Sequence, residues 1–129
     1  MPLAREHMSR DLLTVEPGAR LAEVAQRMVD RDVGAALVTE GDRLAGILTE
    51  RDVLRAVARG VDETTTVGDW MTPDPETLEP DESTEHAAVL MIHGGFRHLP
   101  VTEGDEVVGM LSIRDLMRVV LEDAVPRGT

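Results

Sequence analysis

The sequence predicts a mixed α/β (α+β) fold made of one β-α-β-β-α unit used twice, with the two copies packed about a pseudo-twofold axis. Residues 8–57 laid over residues 71–120 match at 18 of 50 positions without a gap, where average composition gives roughly three or four by chance. Within each copy the apolar pattern switches between strand-like and helix-like periods in the same order. A copy of about 60 residues buries too little surface to be comfortably stable alone, which two copies packed face to face remedy. The chain of 129 residues then reads as one module: repeat 1 over residues 6–60, a linker over 61–66 and repeat 2 over 67–123.

Each element follows from its residues. Leu13-Thr14-Val15 is a short strand closed by Glu16-Pro17-Gly18. Leu21, Val24, Ala25, Met28 and Val29 fall at i, i+3, i+4, i+7 and i+8, the spacing of a helix with one buried stripe, and Thr84, Ala87, Ala88, Met91 and Ile92 repeat it. Ala36-Leu37-Val38 and residues 44–48 are two strands joined by a turn at Glu40-Gly41-Asp42. Leu99-Pro100-Val101 and residues 107–111 answer around Glu103-Gly104-Asp105. A closing helix follows in each copy, over residues 51–58 and 114–122. The connection from Arg59 to Thr66 is polar and carries Gly60, as a surface linker does.

Composition narrows the function. A net charge of −12 opposes any polyanion, so no nucleic-acid partner is expected. One Phe, one Trp and no Tyr leave no aromatic platform for single strands. All thirteen basic residues are Arg, which removes a P-loop or Schiff-base lysine but suits bidentate contact with phosphate. Cysteine is absent, and with it thiolate catalysis and Cys-based zinc. His7, His86, His93 and His98 show no metal-binding spacing, and no nucleophile–base pair is visible, so neither a metal nor an enzyme is expected. The seven Met fall mostly at core positions, and the acidic run from Asp74 to Glu82 reads as solvated surface. No apolar run approaches the ~18 residues of a membrane span, and the first residues lack a secretion-signal core, so a cytoplasmic protein is expected.

The chemistry concentrates at one junction written twice. In Leu48-Thr49-Glu50-Arg51-Asp52 a strand gives way to a helix, which makes Thr49 the N-cap and Asp52 the third helical residue; Ser112 and Asp115 repeat this. One reading is a capping box, each cap worth about 1 kcal/mol. The other uses the same geometry for a ligand: a phosphate rests on the helix N–H groups beside the hydroxyl, and the carboxylate accepts from ribose hydroxyls. Spacing alone leaves both open.

Gly46-Ile47-Leu48-Thr49-Glu50-Arg51-Asp52 and Gly109-Met110-Leu111-Ser112-Ile113-Arg114-Asp115, once per copy, with Met8-Ser9 and Met71-Thr72 near the openings, resemble the signature of a tandem CBS-domain pair, the Bateman module. Gly94 to Val101 resembles that family's approach to its second strand, and the resemblance covers about residues 6–122. It implies a stand-alone regulatory module, not an enzyme, that binds an adenosine-containing ligand (AMP, ADP, ATP or S-adenosylmethionine, sometimes NAD) in clefts between the repeats and signals to a partner. It also implies association through helices into a homodimer. By the same resemblance Asp52 and Asp115 recognise ribose, Thr49 and Ser112 contact phosphate or ribose, and Thr14 and Thr77, on the first strand of each copy, line an adenine pocket. The copies differ: Arg97 and His98 align with Gly34 and Ala35, and Pro100 with Leu37. An Arg97 facing the cleft supplies a cation that one site has and the other lacks. The alternative is a structural or protein-interaction module whose hydroxyl–acid pairs are only caps, with no nucleotide. A third reading makes the chain a regulatory subunit of a separate enzyme or transporter.

Overall fold

The computed structural model describes residues 2–124. In chain order its elements are α1 (Ala4–His7), β1 (Thr14–Val15), α2 (Leu21–Arg31), β2 (Ala35–Glu40), β3 (Arg43–Thr49), α3 (Glu50–Arg59), α4 (Val67–Trp70), β4 (Thr72–Pro73), α5 (Thr84–Gly94), β5 (His98–Glu103), β6 (Glu106–Ser112) and α6 (Ile113–Ala124). They divide into two compact units. Residues 12–75 form the first unit, and residues 2–11 together with 76–124 form the second. Sequence repeat and packing unit are therefore different divisions of the chain, because the segment that heads each repeat packs in the unit of the other.

The first unit holds a sheet ordered β1-β2-β3-β4, with β1 parallel to β2 and the other pairs antiparallel. The β2–β3 hairpin turns at Gly41-Asp42, where Gly41 has φ 61° and so occupies the left-handed region that glycine tolerates. One face of the sheet joins α2 and α3 in a core of Leu13, Val15, Leu21, Val24, Met28, Ala36, Val38, Leu48, Ala56 and Val67. The helical stripe is shorter than its spacing implies. Leu21, Val24 and Met28 are buried but Val29 is exposed, and in α5 Thr84, Ala87 and Met91 are buried but Ile92 is exposed. At about 100° per residue the i+8 position stands about 80° round from position i, on the helix flank.

The second unit is built on the β5–β6 hairpin, whose core is Ala4, Leu78, Ala87, Met91, Leu99, Val101, Leu111 and Leu116. Here the expected first strand is absent. Thr77 lies outside any strand, and its neighbour Leu78 makes a single parallel bridge to Val101. Pro100 is the reason. At the aligned position in the first unit the Leu37 amide donates to the Leu13 carbonyl at 2.8 Å; proline has no N–H to donate. Two bonds remain, from the Leu78 amide to the Pro100 carbonyl at 3.0 Å and from the Thr102 amide to the Leu78 carbonyl at 2.8 Å.

Single-turn helices α1 and α4 lead the segments that change unit. In the second unit the Ala4 amide donates to the Glu82 carbonyl at 2.8 Å, Ser9 and Met110 exchange backbone bonds at 2.9 and 3.0 Å, and Arg5 pairs with Asp81. In the first, the Val67 and Gly68 amides donate to the Ala19 and Pro17 carbonyls, and Trp70 packs on the core. The linker before α4 is organised by Asp62, whose carboxylate accepts from the Thr64 hydroxyl at 2.6 Å and amide at 2.8 Å. Bonding to the charged form holds this carboxyl below the usual carboxylate range.

These leading segments explain the glycine of each junction motif. A Cβ on Gly46 would stand 2.7 Å from the Met71 sulfur and 2.8 Å from the Thr72 carbonyl oxygen; on Gly109 it would stand 2.7 Å from Met8 Cγ and 3.1 Å from the Ser9 carbonyl oxygen. Gly46→Ala is expected to lower stability in urea by about 1–3 kcal/mol through overpacking. Gly109→Ala should cost less, because the flexible Met8 side chain can yield where a carbonyl cannot. Two variants as stable as the parent would contradict this packing.

Candidate functional site

No loop separates strand from helix at either junction: β3 ends at Thr49 and α3 begins at Glu50, and β6 ends at Ser112 and α6 begins at Ile113. The Thr49 amide and hydroxyl both donate to Asp52 Oδ2, at 2.9 and 3.0 Å, while the Asp52 amide donates back to Thr49 Oγ1 at 3.3 Å. The same three bonds join Ser112 and Asp115 at 2.8, 3.0 and 3.2 Å. The capping box is thus formed twice. A further latch holds each helix start: the Glu50 amide donates to the Gly34 carbonyl at 3.0 Å, and the Ile113 amide to the Arg97 carbonyl at 2.9 Å. A helix begins with four amides that lack intrahelical acceptors. These bonds engage three of them and leave over the amide of Arg51 or Arg114. Most of the donor set that would cradle a phosphate is committed to structure.

The two carboxylates differ in their second oxygen. Asp52 Oδ1 is bonded by Arg55, and the Asp52 side chain is 2% exposed. Asp115 Oδ1 lies 3.6 Å from Arg118 Nη1, and its side chain is 14% exposed.

Four expected site residues share one junction. His98 is the cross-strand register partner of Ser112, as Ala35 is of Thr49, so the backbones of Arg97 and His98 run directly beside Ser112 and the start of α6. His98 is half-buried and Arg97 exposed. Thr49 and Asp52 belong to the first unit, as does Thr14, which is exposed on β1 in register with Leu37, two residues along β2 from Ala35. Thr77, exposed and outside any strand, is not held to the Ser112 junction by a ladder. The residues missed from sequence are the carbonyl latches of Gly34 and Arg97. Each immediately precedes the strand paired to the junction and acts through its backbone carbonyl, which no side-chain motif marks.

A hollow of about 380 Å³ in the first unit is lined by Glu16, Pro17, Gly18, Thr39 and Glu40. It sits at the end of β2 away from Thr49, and its two glutamates disfavour an anion. Among the described residues no three His, Asp or Glu side chains group to hold a metal, and no helix is long and apolar enough to cross a membrane.

Comparison with known proteins agrees with the junction pattern. The chain matches the CBS domain family over residues 4–59 and again over 67–122. It is 34% identical over 117 residues to the CBS domain-containing protein YhcV of Bacillus subtilis, covering 90% of this chain and 84% of that one. It is 31% identical over 120 residues to a protein of Methanocaldococcus jannaschii, covering 92% of this chain but 43% of the relative. Among solved structures, a CBS domain protein from Pyrobaculum aerophilum complexed with AMP superposes with TM-score 0.84 at 31% identity, covering 95% of this chain and 98% of that chain. A CBS-domain containing protein from Agrobacterium tumefaciens does so with TM-score 0.81 at 32% identity, over 86% and 90%.

The caps make a stability prediction of their own. Asp52→Ala removes a buried acceptor of three side-chain and backbone bonds and is expected to cost about 1–3 kcal/mol in chemical denaturation. Asp115→Ala, more exposed and less fully bonded, should cost less. The reverse order would contradict the assigned geometry.

Proposed function

The chain belongs to the CBS-domain family, with two such domains in tandem, and from that premise we propose a regulatory module that binds an adenosine-containing ligand and passes its occupancy to a partner. The observation that carries this reading is the Pyrobaculum aerophilum structure with AMP, alike over nearly the whole of both chains. The hydroxyl–carboxylate pair at each strand-to-helix junction supports it. The ligand is AMP, ADP, ATP or S-adenosylmethionine. Asp52 and Asp115 accept from ribose hydroxyls, Thr49 and Ser112 contact ribose or phosphate, Arg97 and His98 serve the phosphate end, and Thr14 and Thr77 flank the base. A ligand of this kind acts by linkage: it favours one arrangement of the module by its differential affinity for that arrangement, with no bond made or broken.

The listening surface we place on the helices. Val29, Leu54 and Val57 in the first unit, and Ile92, Met117 and Val120 at the aligned positions in the second, are each between 59% and 76% exposed. An apolar face written at the same positions in both copies suits a self-complementary contact, so its occupant is a second copy of this chain. Light scattering after gel filtration is expected to give twice the 14.1 kDa chain mass, falling to the single mass when Val57→Glu and Val120→Glu are combined. A monomeric parent would contradict the dimer.

A second reading is a protein-interaction module without a nucleotide, favoured by the engagement of both carboxylates in caps. Calorimetry and thermal melts with AMP, ADP, ATP and S-adenosylmethionine separate the two. The ligand reading predicts stabilisation by RT ln(1 + [L]/Kd), about 2.7 kcal/mol at a hundredfold excess over Kd, for at least one of the four. No heat and no shift with any of them would leave the interaction module.

A further inference from the structure

We infer that the hollow at the end of β2 away from Thr49, lined by Glu16, Pro17, Gly18, Thr39 and Glu40, is a cation site whose ligand is a guanidinium group from outside the chain. It is independent of the nucleotide reading and of the strand-to-helix junctions.

The duplicated chain carries its own comparison. Four of the five lining residues recur 63 positions on, as Glu79, Pro80, Thr102 and Glu103. The backbone repeats as well: the Gly68 amide donates to the Pro17 carbonyl at 2.8 Å, and the Arg5 amide donates to the aligned Pro80 carbonyl at 3.0 Å. The neighbouring bonds agree, from the Val67 amide to the Ala19 carbonyl at 2.9 Å and from the Ala4 amide to the Glu82 carbonyl at 2.8 Å. Gly68 and Arg5 therefore occupy the same place against the same loop. In the second unit that place sends out a guanidinium, which pairs with Asp81. In the first unit both members of the pair are glycine, Gly68 and Gly18. Nothing in the backbone demands glycine at position 18, since its φ is not positive and a Cβ there would meet nothing within 4 Å. Where one copy fills the loop with its own ion pair, the other leaves a hollow of about 380 Å³.

Charge identifies the occupant. Glu16 and Glu40 bring two carboxylates to the hollow, and neither carries an ion pair among the described residues. Thr39 adds a hydroxyl to the same wall. A guanidinium presents five N–H donors in a planar fork, which suits several oxygen acceptors spread around it better than a compact ammonium does. The field of a chain with net charge −12 concentrates cations of this kind. The second unit supplies the cation from Arg5, and the first is left to take it from a free guanidinium compound or from an arginine of a partner protein.

The test is an amide nuclear magnetic resonance titration of the full chain at low ionic strength with three probes. They are agmatine, a blocked Gly-Arg-Gly peptide, and the same peptide with citrulline, the neutral isostere, in place of arginine. The expected result is saturable shifts at Gly18, Thr39 and Glu40 with a guanidinium probe and none with the citrulline peptide. Tighter binding of agmatine assigns a free small cation, and tighter binding of the arginine peptide assigns a partner's side chain. Glu16→Gln and Glu40→Gln, both on exposed residues, should each weaken binding by roughly tenfold, the scale of a lost charged hydrogen bond. Arg5→Gly should uncover Asp81, so that the Asp81 and Glu103 amides answer the same probe in that variant alone. Shifts that do not saturate, that follow the citrulline peptide equally, or that survive both Gln substitutions would overturn the inference, as would an Arg5→Gly chain whose second loop stays silent.

Discussion

The acid at the third position of α3 and of α6 fixes each strand-to-helix junction, and the proposed function asks it to meet a ligand as well. As a cap it must stay ordered, accepting from the amide and hydroxyl of the residue that ends the preceding strand. As a ligand group it must keep an oxygen free. The cap uses one oxygen and fixes the side chain's position, so on the proposed reading the fold itself orients the carboxylate before a ligand arrives.

A second constraint is the crossing of the chain between units. Each hairpin is completed by a segment from the head of the other repeat: Ser9 bridges Met110, and β4 pairs with β3. The methionine that leads each segment lies against the motif glycine, Met8 on Gly109 and Met71 on Gly46. Glycine at the start of the motif is thus a packing requirement, imposed by the close approach of a second backbone. Neither repeat is a complete folding unit from its own residues, so the two copies are tied by sheet pairing and core packing as well as by the linker.

Much of this was legible in the sequence. The offset of 63 placed both hairpins, because Gly41 and Gly104 mark turns that tolerate little else, and the capping geometry of Thr49 and Ser112 follows from where the apolar runs end. Three features were hidden for physical reasons. A repeat alignment compares positions along the chain and carries no sign of which copy a segment pairs with, so the crossing was invisible. Helical spacing counts Val29 and Ile92 into the stripe although they stand on the flank, where a surface contact and a core contact look alike in the pattern. The missing strand at Thr77 was encoded by Pro100, a known departure from Leu37 whose effect depends on a neighbour identified only by the sheet. At the site, the carbonyl latches of Gly34 and Arg97 are backbone bonds, to which side-chain motifs are blind.

The most direct test of the shared carboxylate is an amide nuclear magnetic resonance titration of the labelled chain with AMP. If the caps are also the ribose sites, the amides of Thr49 and Asp52, of Ser112 and Asp115, or of both pairs should shift first and furthest, since all are bonded within the caps and feel any redistribution of charge there. Saturating AMP that leaves the resonances of both caps in place, with the changes gathered elsewhere on the chain, would contradict the account.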